Sequence, residues 1–169
     1  GTLRRVTINR LTVAPGDTLI AAVEVEPWHA QPRTIPITLT IPADAPEGQF
    51  QLTIGSADNA LEEESVYAPQ RFDPQDVTSM VTDVNHILGY RADQLYGTLV
   101  LNITGAAVNG RELKNLPPSR AVRFASDKLT GTNPVFRAVN VAVDTGGILL
   151  SGGESFTLTI DRHANDRYY

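Results

Sequence analysis

His29, His86 and His163 are the chain's imidazoles, and their spacing poses the first chemical question. A metal site or a catalytic triad needs convergent groups, and no two of these histidines stand at a ligand spacing such as HxxxH. The chain has no cysteine, which removes disulfides, thiolate catalysis and Cys-ligated zinc or iron–sulfur sites. A serine nucleophile needs a strained, supported setting beside a base, and no GxSxG is present. Ser119 follows Leu116-Pro117-Pro118 as a helix N-cap would, and Ser151 and Ser155 fall in a glycine-rich turn. Glu24 and Glu26 lie on one strand face, close enough for a glycosidase-type pair at about 5–10 Å. On an outer face, however, such residues are ordinarily solvent-facing polar positions. Asp58, Glu62, Glu63, Glu64, Asp73 and Asp76 could donate oxygens to calcium but lack a DxDxDG-like loop. Glu62-Glu63-Glu64 reads as a solvated acidic run on a loop or a short helical turn. The glycines form neither GxGxxG nor GxxxxGK[ST]. His86 reads as an ordinary helix histidine beside an apolar stripe. Trp28 beside His29, in the loop PWHAQP, is either an aromatic binding platform or, in the ordinary case, the cap on one end of a core.

These residues must be positioned by strands. Residues 35–54, IPITLTIPADAPEGQFQLTI, form the organising stretch. Ile35, Ile37, Leu39 and Ile41 alternate with polar or small residues, as do Phe50, Leu52 and Ile54, so each segment has one apolar face. PADAPEG between them is a turn, in which Gly48 can take positive φ. Upstream, Val6 and Ile8 share one parity and Leu11 and Val13 the other, which predicts a bulge or kink near Asn9-Arg10. Ala14-Pro15-Gly16-Asp17 is a turn. Leu19, Ala21, Val23 and Val25 define the clearest strand. Four strands in the first 55 or so residues make an immunoglobulin-like half-sandwich.

A helix is expected over 74–88, with Asp73 as N-cap, Pro74 at the first helical position and Gly89 as the stop. Its stripe of Val77, Met80, Val81, Val84, Ile87 and Leu88 is expected to pack on a sheet. Leu99, Leu101 and Ile103 return to strand, and Asn109-Gly110 signals a tight turn. Residues 120–129 suit a short helix, although AVRFA reads almost as well as a strand. Val135, Arg137, Val139, Val141 and Val143 alternate again. Ile148 to Leu150 and Phe156, Leu158 and Ile160 suggest a closing hairpin, and 162–169, ending in Tyr168-Tyr169, is expected to fray. The fold class is therefore mainly β: an immunoglobulin-like antiparallel β-sandwich with one packed helix and room for a second short one. It divides into sandwich strands over 1–56, a loop and helix over 57–94, further strands over 95–161 that complete the sandwich or form a second β-subdomain, and a tail over 162–169.

The 169 residues, 41% hydrophobic and 20% charged, are ordinary globular composition. A domain of that length buries roughly 70% of its unfolded surface. A net charge of −5 argues against nucleic acid and anionic membrane as partners. No apolar run approaches the ~20 residues of a membrane helix, and Gly1-Thr2-Leu3 lacks the features of a signal peptide. The start at Gly1 rather than Met reads as a trimmed end, leaving room for a signal or an upstream domain.

Several stretches look familiar in combination: VAPGDTLIAAVEVEPWHAQPRTIPITLTIPADAPEGQFQLTIGSA, YRADQLYGTLVLN, GRELKNLPPSRAVRFAS and LLSGGESFTLTI. Together they resemble the β-rich region C-terminal to the peptidase in large secreted bacterial proteins with a SpoIVB-type serine peptidase domain. The resemblance covers most of residues 11–160, and Leu116-Pro117-Pro118-Ser119 after a helix and strand is its most distinctive part. It implies an extracytoplasmic accessory domain whose catalytic serine and histidine lie upstream, and no position here matches a peptidase motif. The expected function is thus a non-catalytic, extracytoplasmic binding or scaffolding module. It has no cofactor and no metal, and takes a protein or glycan partner at a loop end carrying Trp28, His29, Pro46 and Glu47. The rivals are a carboxylate-dependent hydrolase using Glu24 and Glu26, and an assembly domain of a cell-surface protein whose edge strands pair with neighbours.

Overall fold

The computed structural model describes residues 1–108, 111–114 and 132–166. Among these the chain is mainly β, with strands β1 (Thr2–Ile8), β2 (Thr12–Val13), β3 (Thr18–Glu26), β4 (Arg33–Thr40), β5 (Gly48–Gly55), β6 (Gln94–Val108), β7 (Arg111–Lys114), β8 (Thr132–Asp144) and β9 (Gly153–Ile160). Helices α1 (Ala57–Tyr67) and α2 (Val77–Leu88) flank a 3-10 turn at Pro69–Phe72. The expected turn at Asn109-Gly110, the Leu116-to-Ser119 element, the short helix over 120–129 and Tyr168-Tyr169 lie outside the described residues.

The chain divides into two compact units. The first comprises Gly1–Leu61, Tyr90–Leu101 and Ala138–Tyr169, and the second Glu62–Gly89 and Asn102–Arg137. The division cuts through α1, β6 and β8 and does not follow consecutive sequence blocks.

The first unit is a β-sandwich. A three-stranded sheet, in the order β1-β3-β4, is antiparallel throughout. The other sheet runs β2-β9-β5-β6, with β8 also on β6. Alternation sets which side chains meet between them. Leu19, Ala21, Val23 and Val25 of β3 are buried, as are Ile37 and Leu39 of β4. They share one core with Phe50, Leu52, Ile54, Leu99, Leu101, Leu158 and Ile160 of the facing sheet. Gly97 of β6 points into this core: a Cβ there would come within 3.1 Å of Ile37 Cδ1 and Val141 Cγ1. The missing side chain is what lets those two branched residues fill the space.

The parity change after Ile8 marks a strand that leaves one sheet for the other. Up to Ile8 the chain pairs with β3, and from Thr12 it pairs in parallel with β9. Asn9 makes the crossing possible: its N–H donates to Ile20 O and its side-chain oxygen accepts from Ile20 N, both at 3.1 Å, so no ladder group of Ile20 is stranded. The 14–17 turn forms as expected, with Asp17 N donating to Ala14 O and Gly16 at φ 87°.

Some expectations need correction. β4 and β5 are not a hairpin, since β4 belongs to the three-stranded sheet and β5 pairs with β6 and β9. Pro42, Ala45 and Pro46 arch the chain between layers because neither proline can donate to a continuing ladder. Residues 148–150 are not a strand; β9 instead pairs antiparallel with β5 along its whole length. Residues 162–166 are not frayed: Arg162 N donates to Glu47 Oε1, Asn165 Nδ2 to Asp17, and Ala164 is buried.

In the second unit, Glu62-Glu63-Glu64, expected on a loop or a short helical turn, are part of helix α1. Helix α2 starts at Val77 with Asp76, not Asp73, as its cap. Asp76 accepts from Ser79 N at 2.7 Å while Ser79 Oγ accepts from Asp76 N at 3.0 Å, a reciprocal capping box. The helix stops at Gly89 as expected, although Gly89 is right-handed at φ −70°. The stripe does not pack on a sheet: Val77, Met80, Val81, Val84, Ile87 and Leu88 are all exposed.

Candidate functional site

The loop over 27–32 joins β3 to β4, where Val25 pairs with Arg33, so its base is clamped by the ladder. Trp28 is 84% exposed and is not a cap on the core. His29 sits at φ 57°, the one non-glycine residue with positive φ among the described residues. That conformation costs an L-residue about 1–2 kcal/mol. It turns the imidazole edge-on to the indole, with ring centroids 4.8 Å apart and planes at 78°. The result is an aromatic surface held out from a rigid hairpin. Gly1 lies at its root, where a Cβ would be 3.2 Å from Pro27 Cα, and the terminal amine donates to Leu149 O at 2.6 Å. Arg33 Nη2 donates to Thr145 O at 3.2 Å and ties the far side of the loop to the 145–149 turn.

Pro46 and Glu47 do not join this surface. The antiparallel register puts Thr18 opposite Thr40 and Val25 opposite Arg33, so the two loops leave opposite ends of β4. Eight strand residues separate them by roughly 26 Å. Glu47 serves the other end, receiving Arg162 N at 3.1 Å. Nearby, His163 Nδ1 contacts Asp166 Oδ2 at 2.9 Å, and that hydrogen bond raises the imidazole's pKa above its ordinary value.

Glu24 and Glu26 lie on the outer face of the three-stranded sheet, and Glu26 forms an ion pair with the Arg4 guanidinium. This hydrogen bond and charge raise the pKa of Arg4 further. Glu26 is thereby engaged by Arg4 on an open outer face. Among the described residues, no group of three or more His, Asp or Glu is arranged to hold a metal ion.

Two arrangements escaped the sequence reading. The first is Glu64, 1% exposed, which accepts from Arg71 Nη1 at 2.7 Å and contacts His86 Nε2 at 2.6 Å. The signal was available: Ala57, Ala60, Glu64 and Tyr67 fall at i, i+3, i+7 and i+10, the buried face of α1. A glutamate on such a stripe demands polar partners, and the Arg71 guanidinium and the His86 imidazole both reach it. The second is the outer face of β5 and β9, where register sets Gln51 beside Thr157 and Thr53 beside Ser155. Thr53 and Ser155 hydroxyls hydrogen-bond at 3.1 Å. Gln49, Gln51, Ser155 and Thr157, with the edges of Phe50 and Phe156, line a shallow open depression of about 290 Å³. It is a neutral amide-and-hydroxyl surface without a titrating group.

No helix among the described residues is long and apolar enough to cross a membrane. Comparison with protein-family models, with curated proteins and with solved structures finds no match to this chain.

Proposed function

We propose that this chain is a non-catalytic, extracytoplasmic binding module that engages a protein or glycan through the Trp28 loop. One observation carries the reading: a tryptophan 84% exposed on a loop whose base is locked by β3 and β4, with His29 in a left-handed conformation bracing the ring. Exposed indoles cost solvation and are disproportionately the residues on which binding energy concentrates. A rigid sandwich end is also where loops carry function. The extracytoplasmic setting, and service as an accessory domain to an upstream serine peptidase, rest on the resemblance of residues 11–160 to such regions.

Trp28 is the chain's single tryptophan, so its emission reports directly on the loop. The test is a fluorescence titration against a panel of envelope glycans and peptides, repeated by calorimetry with Trp28→Ala. A true ligand shifts the emission, and the variant weakens its binding by about thirtyfold, the ~2 kcal/mol of a hot-spot aromatic. The variant's unfolding midpoint stays within about 0.5 kcal/mol of the parent, as for an exposed side chain. A ligand bound equally well by Trp28→Ala, with unmoved emission in the parent, refutes the loop as the contact.

Pairing through edge strands is less well supported. Pro36 interrupts the free edge of β4, and the edge of β1 is met by β9-side groups, with Leu3 N donating to Ser151 O and Val6 N to Glu154 Oε2.

A further inference from the structure

The two outer faces of the sandwich are built differently. On the three-stranded sheet the register sets exposed Arg5 beside exposed Glu24, an ordinary charged pair on a solvated face. On β5 and β9 the outward positions are neutral: Gln49 faces Thr159, Gln51 faces Thr157 and Thr53 faces Ser155. The neighbours on either side are uncharged as well, with Thr12 of β2 beside Thr159, and Val100 and Thr98 of β6 beside Gln51 and Thr53. Glu154 has the inward parity of Phe156 and Leu158, and on that side it accepts from Val6 N at 2.8 Å. Past the strand ends, Glu47 is engaged by Arg162 and Asp161 by His163 N.

Alternation requires polar residues at these positions but not neutral ones, since Lys or Glu would meet water equally well. Amides and hydroxyls differ from charged groups in offering a donor and an acceptor at once, which is what a sugar hydroxyl offers in return. A charged ligand would give up water here without meeting an opposite charge, and an apolar one would strip water from the amides with nothing to replace it. The Thr53 and Ser155 hydroxyls bond to each other at 3.1 Å and close one end of the surface. Gln49, Gln51 and Thr157 are exposed, and with the edges of Phe50 and Phe156 they line the open depression of about 290 Å³. That volume is at the lower end of small-molecule sites, roughly 300–1,000 Å³. We propose that this depression is a second binding site, for a neutral saccharide unit of one or two rings. It is separate from the Trp28 loop, which joins β3 to β4 in the opposite sheet. A few net hydrogen bonds over little apolar area make the affinity weak, on the order of 1 mM.

The test is a titration of the whole chain with cellobiose, maltose, lactose and N,N′-diacetylchitobiose, followed by amide nuclear magnetic resonance, which reads glutamine side-chain amides as well as the backbone. At least one of these neutral disaccharides is expected to move the side-chain signals of Gln49 and Gln51 and the backbone signals of 155–157 in a saturable way. Gln51→Leu keeps the strand and removes the amide, and is expected to weaken that binding by about fivefold, the share of one hydrogen-bonding group. Thr157→Val is expected to act by a similar factor, and parent-like spectra away from the site check that both variants keep the fold. Trp28→Ala is expected to bind as the parent does. Shifts centred on Trp28 and lost in Trp28→Ala overturn the second site. So does undiminished binding by Gln51→Leu and Thr157→Val, binding of glucuronate as tight as that of the neutral sugars, or failure of all four disaccharides to give a saturating shift by about 50 mM, far above the expected dissociation constant.

Discussion

Glu64 buries a carboxylate on α1, and the energetics of that choice are asymmetric. Glu64 is 1% exposed, whereas the side chains of Arg71 and His86 are 31% and 41% exposed. Removing the Arg71 guanidinium leaves a carboxylate that water cannot reach, while removing the carboxylate leaves partners that water can. Arg71→Met is therefore expected to cost about 1–3 kcal/mol, less than a fully buried broken pair because the partners are partly screened. Glu64→Gln, which keeps the shape and discards the charge, is expected to cost about 1 kcal/mol. Urea denaturation of both variants checks the order, and a costlier Glu64→Gln would show that the site is held by shape rather than charge. The sequence displayed three consecutive acids. Only their position against Ala57, Ala60 and Tyr67 distinguishes the buried one, and a run read as a block hides that spacing. At Trp28 the composition of the loop was legible, but its exposure was not: an indole at a sandwich end satisfies the same sequence whether it folds in or out.

At the level of elements, α2 shows how far periodicity reaches. The stripe located the helix and its C-terminal stop, because side chains at i, i+3, i+4 and i+7 share a face whatever lies opposite. The N-terminus moved from Asp73 to Asp76 because Ser79 completes a reciprocal box with Asp76 that Asp73 could not make. Backbone and side-chain hydrogen bonds from Ser79 hold the Asp76 carboxyl below its ordinary pKa of 3.8. A lowered folded-state pKa means that the cap's contribution is present above the unfolded value and is lost as the pH falls through the folded one. Far-UV circular dichroism should therefore show that Asp76→Ala has lost helix content already at neutral pH, whereas the parent loses it only in strong acid. Coincident acid titrations of the two would remove Asp76 from the cap. Helix α1 was missed because two alanines, a tyrosine and a glutamate make a weak apolar stripe, and its acid-rich surface resembles a loop.

For the molecule as a whole, the sandwich rests on residues such as Leu99, fully buried between the sheets. Leu99→Ala is expected to cost about 2–5 kcal/mol through lost burial and an unfilled cavity. Val100→Ala, on the other parity of β6, should cost far less. Equal losses in urea unfolding would mean that the inward and outward faces of β6 had been misassigned. Parity itself was written in the chain: the buried faces of β3, β4 and β5 follow from apolar residues at every second position, because successive side chains on a strand must point to opposite faces. Pairing was not written there. Alternation is identical whether β5 lies beside β4 or across the core from it, and burial of apolar surface is non-directional, so it cannot name a partner. Only tertiary structure decided that the chain crosses between sheets at Asn9, that β4 arches rather than turns back into β5, and that Trp28 and Glu47 stand at opposite ends. It also left the apolar stripe of α2 exposed, with His86 of the same helix against Glu64 of α1.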